Sequence, residues 1–221
     1  MIKFKNVTAT YKKNVGIFNI NFEVKPKELV FVMGPTGAGK STILRAIYKD
    51  VSIDKGNIII DKENVNECSD KKISYLRRKI GMIFQDFKLL NNRTVFENIA
   101  LPLRIEGAHY ADIKNKVSEA LFKVGLPKTE KAFPLELSGG EQQRICIARA
   151  LVKNPKIILA DEPTGNLDPN VSDEILDLLE SCTENGASVL MSTHNFPLIK
   201  PREKRFVELN KGRMVLWLLI K

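Results

Sequence analysis

Residues 34–42 read Gly-Pro-Thr-Gly-Ala-Gly-Lys-Ser-Thr, and their flanks decide the fold. Before them runs an apolar stretch, Leu29–Met33; after them residues 43–48, Ile-Leu-Arg-Ala-Ile-Tyr, are helix-like. A G-x-x-x-x-G-K-[ST] string between a strand and a helix is a phosphate-binding loop. Across Gly34, Pro35, Thr36, Gly37, Ala38 and Gly39 the glycines leave room for backbone N–H groups to wrap a nucleotide's phosphates. Lys40 reaches the β and γ phosphates, the Ser41 hydroxyl can ligate Mg²⁺, and Thr42 completes the motif. The string alone has false positives; its setting makes it specific.

Outward from the loop, residues 2–24 alternate with period 2, with a break near 12–16, which predicts two antiparallel strands and a turn. Leu29–Met33, 80–84, 157–160 and 188–192 are short, mostly apolar runs with helical or loop stretches between them, as a buried parallel sheet requires. Between 86 and 153 the pattern turns helical. Ile113, Val117, Ala120, Leu121 and Val124 repeat at three and four, and Gly-Leu-Pro at 125–127 ends that helix. Residues 206–209 and 213–215 read as a hairpin about 210–212, leading into the apolar 215–220, which completes the sheet or meets a dimer mate or membrane partner. The predicted fold is α/β of the P-loop NTPase class, one domain over 1–221, with an antiparallel β subdomain and an inserted α-helical subdomain at about 86–153.

Composition sets bounds. No apolar run approaches the roughly 18–20 residues that cross a bilayer, and residues 1–11 lack the apolar centre of a signal peptide, so a cytosolic protein is expected. Cys68, Cys146 and Cys182 are far apart and odd in number, which fits neither a disulfide framework nor a zinc site. The formal charge of +9, from 35 Lys and Arg against 26 Asp and Glu, suits anionic partners, but the basic residues are scattered, as on a solvated surface. Lys71-Lys72, Arg77-Arg78-Lys79 and 202–205 are local groups that keep a membrane-facing patch open.

A second motif, Lys156-Ile157-Ile158-Leu159-Ala160-Asp161-Glu162, is an apolar strand ending in two carboxylates. Such a strand can aim Asp161 at a Mg²⁺ shell and Glu162 at an attacking water; read alone, it is also a buried strand capped by two solvated acids. A third, Leu137-Ser138-Gly139-Gly140-Glu141-Gln142-Gln143, stands at a helix start. Its N–H groups and hydroxyl offer a second γ-phosphate grip, although Ser-Gly-Gly is also a plain capping turn.

Kinases and GTPases have no use for the third motif. Its place just upstream of the Asp161-Glu162 strand resembles the ATP-binding-cassette (ABC) family across nearly the whole chain. The resemblance implies ATP and Mg²⁺ as cofactors, with Glu162, His194 and Lys40 catalytic and Ser41, Gln85 and Asp161 around the metal. Tyr11 looks like the family's adenine-stacking aromatic, and Gln85 is similar to its glutamine that senses the membrane partner. By residue type alone these are a strand aromatic and a loop residue. Ser138, Gly139, Gly140 and Gln142 match the signature, and Asn166-Leu167-Asp168 the loop that crosses the dimer interface. His194 matches the switch histidine, while His109 reads as a surface residue. Asn195 departs from the Asp common in the family, which removes a charge beside His194. The resemblance also implies a head-to-tail homodimer, each ATP lying between Lys40 of one chain and Ser138 of the partner subunit.

Within the family, residues 76–86 and 89–103 look like two groups: the bacterial cell-division ATPases and the methionine-importer ATPases, the latter with an added C-terminal domain. Asp161-Glu162-Pro163-Thr164-Gly165-Asn166-Leu167-Asp168, together with an end at Lys221, resembles the cell-division group; the first of these is shared by lipoprotein-release and macrolide-export ATPases. That resemblance implies a peripheral place on the cytoplasmic face of the inner membrane, at the division site. It also implies an integral membrane partner docking near Gln85 and the helical subdomain. A soluble nucleic-acid-acting relative would carry two cassettes or a long coiled-coil insertion, so no nucleic-acid partner is expected.

Overall fold

The computed structural model describes residues 1–12 and 15–219. Among them, β3 (Leu29–Met33), β6 (Ile80–Ile83), β7 (Ile157–Asp161), β8 (Ser188–Thr193), β9 (Arg205–Asn210) and β10 (Arg213–Leu219) form one sheet in the order β10-β9-β3-β8-β7-β6. Every pairing in it is parallel except β9 with β10. A second, antiparallel sheet runs β2-β1-β4-β5, from β1 (Ile2–Lys12), β2 (Val15–Val24), β4 (Lys55–Ile60) and β5 (Glu63–Asn64).

The inner parallel strands β3, β7 and β8 read as mostly apolar runs because both faces are covered, and the alternation sorts them between two cores. Phe31, Ile158, Ala160, Val189 and Met191 point into a core shared with four helices: α3 (Val95–Ile105), α4 (Tyr110–Lys123), α5 (Gly139–Leu151) and α6 (Pro169–Glu184). Val30, Val32, Ile157, Leu159 and Leu190 point the other way, to the β1–β2 sheet, α1 (Lys40–Ile47) and α2 (Asp70–Arg78). A last short helix, α7 (Phe196–Ile199), follows β8.

The alternation in 2–24 is two antiparallel strands, the expected turn falling partly on residues 13–14, outside the described set. The 113–124 pattern is α4, closed by Gly125 at φ 74°. The hairpin at 205–219 is β9 and β10, with β10 on the sheet edge as expected; Ile220 lies outside the described residues. Periodicity did not reveal β4, β5 and α2.

Buried Asn98 on α3 organises the loop that follows Gln85. Its Oδ1 accepts from Leu90 N at 2.8 Å, and its Nδ2 faces Leu90 O at 3.1 Å, Thr94 O at 3.0 Å and Arg93 O at 3.2 Å. Thr94 caps the same helix, trading hydrogen bonds with Glu97.

Candidate nucleotide site

Parallel strands that end together bring their C-terminal residues to one edge, and here β3, β7 and β8 are adjacent in register. The phosphate loop leaves β3 and turns into α1 at Gly39, whose φ of 103° an L side chain rarely adopts. Gly34 is equally constrained, since a Cβ there would stand 2.3 Å from Leu209 O.

Lys40 is 4% exposed, and its Nζ donates to Gly34 O at 2.8 Å and Pro35 O at 3.1 Å while pairing with Glu162 Oε1 at 3.0 Å. His194 Nδ1 lies 2.8 Å from the other Glu162 oxygen. Beside this triad, Ser41 Oγ donates to Asp161 Oδ1 at 3.0 Å. Glu162 has φ 43°, an uncommon conformation for a residue other than glycine, which turns its carboxylate back towards Lys40. Burial pushes that carboxyl up, but the hydrogen bonds and charges of Lys40 and then His194 outweigh burial and hold it below its ordinary value of 4.5.

Sequence reasoning missed Ser192. It is fully buried and binds both acids, donating to Asp161 Oδ1 at 2.6 Å and accepting from Glu162 N at 2.9 Å. Its position in the β8 run was the available signal, since a hydroxyl at an interior position of an apolar strand needs a partner. An all-oxygen set of one carboxylate and a hydroxyl suits a hard cation such as Mg²⁺, which takes one or two protein oxygens and fills its shell from phosphates and water.

Tyr11 is 44% exposed, so it is not packed on the sheet. Its hydroxyl donates to Thr42 Oγ1 at 3.2 Å, and the Arg45 guanidinium lies 5.5 Å from its ring centroid. Gln85 stands exposed just past β6, at the same sheet edge, with no hydrogen bond among the described residues. Ser138 caps α5 through a reciprocal box with Glu141, and Gln142 donates to Leu137 O at 3.0 Å. Gly140 lets α5 approach α6: a Cβ there would meet Val171 at 3.1 Å. Asp168 caps α6, accepting from Val171 N at 3.0 Å. No hydrogen bond or ion pair among the described residues joins Ser138, Gly139, Gly140, Gln142 or Asp168 to the Lys40 cluster. Gln143, fully buried on α5, has neither amide atom paired among the described residues.

The segment after His194 is anchored twice. Asn195 Oδ1 caps α7, accepting from Leu198 N at 3.2 Å, and Arg202 binds Asp173 at 2.8 Å and also Asp177 on α6. His109 is exposed at the start of α4, and Cys68, Cys146 and Cys182 are buried free thiols.

A family profile described as ABC transporter matches residues 17–165. The chain is 44% identical over 97% of its length to the cell division ATP-binding protein FtsE of Streptococcus pneumoniae, covering 94% of that protein. It is 45% identical over 97% of its length to the FtsE of Escherichia coli, covering 97% of it. Among solved structures, the ATP-binding cassette MJ0796, a dimer in a post-hydrolysis state with ADP and Pi, superposes with a TM-score of 0.90 at 36% identity, over 100% of this chain and 99% of that one.

Proposed function

This chain belongs to the ABC transporter family, and from that premise we propose that it is the ATP-hydrolysing subunit of a cell-division complex of the FtsE and FtsX kind. The observation that carries the enzymatic reading is the convergence of Lys40, Ser41, Asp161, Glu162 and His194 at one sheet edge. In this reading 1–221 is one ATPase domain with 86–153 as its helical lobe.

ATP would enter along Gly34 to Thr42 with adenine against Tyr11. The γ-phosphate then competes with Glu162 for Lys40. That exchange matters chemically, because the pairing with Lys40 lowers the proton affinity of Glu162. Once Lys40 turns to phosphate, burial is less opposed and the carboxylate gains affinity for a proton. It can then orient the attacking water and take its proton, with His194 keeping its ring against the other oxygen. Mg²⁺, held through Ser41 and Asp161 with Gln85 adjacent, would offset the phosphate charge. That no hydrogen bond or ion pair among the described residues joins Ser138, Gly139, Gly140 or Gln142 to the Lys40 cluster supports a head-to-tail homodimer, in which they grip the nucleotide of the partner subunit and the 166–168 loop crosses between chains.

Among the described residues no helix is long and apolar enough to cross a membrane. In this reading the membrane partner is a separate chain. A groove of about 550 Å³ just before Gln85, floored by Met82, Phe84 and Pro102 and edged by Ile105, Arg78 and Lys153, supports docking there. Such a complex sits on the cytoplasmic face of the membrane at the division site, with ATP-driven dimer closure passed through FtsX to activate septal peptidoglycan hydrolases outside. No nucleic acid is expected to take part.

The test is to trap the dimer with Glu162→Gln, ATP and Mg²⁺, solubilise it with native membranes and identify the co-purifying chain. A four-span protein with a large extracytoplasmic domain is expected. A multi-span permease would move the chain to the transporters, and continued turnover by the variant would overturn the assigned role of Glu162.

A further inference from the structure

We infer that the outer face of α2 contacts the headgroups of an anionic bilayer directly. Between Lys71 and Lys79 the chain carries five cations and no acid. Two of the five are used inside the protein. Arg77 donates to Tyr48 O at 3.0 Å and Lys49 O at 3.1 Å, and Lys79 lies 3.6 Å from Glu63 and 4.6 Å from the Tyr75 ring centroid. The other three, Lys71, Lys72 and Arg78, are exposed, with no side-chain ion pair among the described residues. Glu67, which shares a shallow depression with Lys72 and Tyr75, accepts from Asn64 at 2.6 Å.

The helix repeat arranges these groups. Ile73 and Leu76 are the buried side of α2. Lys71, Tyr75 and Arg78, spaced at four and three, lie along the opposite line, the part of the helix furthest from the core. Tyr75 is 58% exposed in the middle of it. A stripe of cations around an exposed tyrosine suits an interface, where the ring sits at headgroup depth and the long basic side chains reach phosphate. Arg78, on this line, and Ser74, beside it, also edge the 550 Å³ groove, and across it α3 exposes Leu101 and Ile105. The orientation of the stripe towards the bilayer rests on the proposed docking of the membrane partner in that groove; its charge does not. The partner class is an anionic lipid surface, since Lys71 and Arg78 on the outer face and Lys72 beside it, none in a side-chain ion pair among the described residues, together address a plane of charge.

The test is sedimentation of the purified full chain with vesicles of phosphatidylglycerol and phosphatidylethanolamine in equal parts, against phosphatidylcholine alone. Each cation near an anionic surface contributes about fivefold to partitioning. Lys71→Glu with Lys72→Glu should weaken binding to the anionic vesicles at least about 25-fold and leave ATP turnover and melting temperature unchanged. Added salt should weaken the wild type in the same way. Binding to the anionic vesicles no stronger than to phosphatidylcholine, or equal binding by the double variant, would overturn the inference. So would a variant that binds vesicles normally but no longer retains its membrane partner, which would make α2 a protein contact. Partner identity is read separately in the Glu162→Gln trap, so failure of either reading is recognisable.

Discussion

Asn98→Ala should destabilise the protein far more than a polar substitution in a helix ordinarily does. The amide makes one accepting bond, to Leu90 N, and its two N–H groups are spread over the carbonyls of Leu90, Arg93 and Thr94. Three hydrogen bonds at about 0.5–1.5 kcal/mol each give roughly 1.5–4.5 kcal/mol. Leu90 and Arg93 are exposed, so water replaces part of what they lose, whereas the Asn98 site itself is fully buried. A net loss of about 3 kcal/mol follows, which for a chain of this size lowers the melting temperature by roughly 6–12 °C. Thermal and urea unfolding of the purified variant measure it. Asn98→Asp is the informative control, because it keeps the acceptor for Leu90 N but sets a carboxylate against three carbonyls; it should be at least as damaging. A shift below about 2 °C for Asn98→Ala would refute the view that this side chain holds the 88–94 loop in place.

Lys40→Met should lose ATP binding in a filter or fluorescence titration, and its stability deficit should depend on pH. Glu162 has its carboxyl lowered in the folded state, so its stabilisation is present above 4.5 and disappears as pH falls through the lowered value. The gap between wild type and Lys40→Met in urea melts should therefore be largest near neutrality and narrow in acid; a constant gap would contradict the ion pair. Asn195→Asp should retain the cap on α7 and alter turnover without being required for it, whereas Asn195→Ala should cost about 1 kcal/mol of stability. Strict dependence of hydrolysis on an aspartate at 195 would be the contrary result. Burial raises the Cys182 thiol to about 11, so in the folded protein iodoacetamide should label it much more slowly at pH 8 than in urea; equal rates would refute its burial.

How much was legible differs from element to element. The phosphate loop, the Asp161-Glu162 strand and the signature turn could be read directly, because each depends on residue types at fixed short spacing beside a strand or helix. β3, β7 and β8 could be recognised as buried, since strands covered on both faces are mostly apolar. β4 and α2 were not. In β4 two of the six residues are buried, and α2 is dominated by cations, so neither presents a clean period. Asn98 was invisible as a determinant for another reason: an asparagine within a helical pattern has no meaning until the backbone groups it binds are known, whereas the Ser192 hydroxyl in β8 signalled a need for a partner without saying which.

Local order in the chain thus determined the fold class, the phosphate loop, the paired carboxylates and the helical character of about 86–153, all consequences of spacing along a helix or strand. Only the tertiary structure decided that Lys40 faces Glu162 across 122 positions of sequence and that Ser192 joins the two acids. The reason is the sheet: its order sets β3 next to β8 and β8 next to β7, and strand order is set by long-range packing of two cores against opposite faces, which no local spacing encodes.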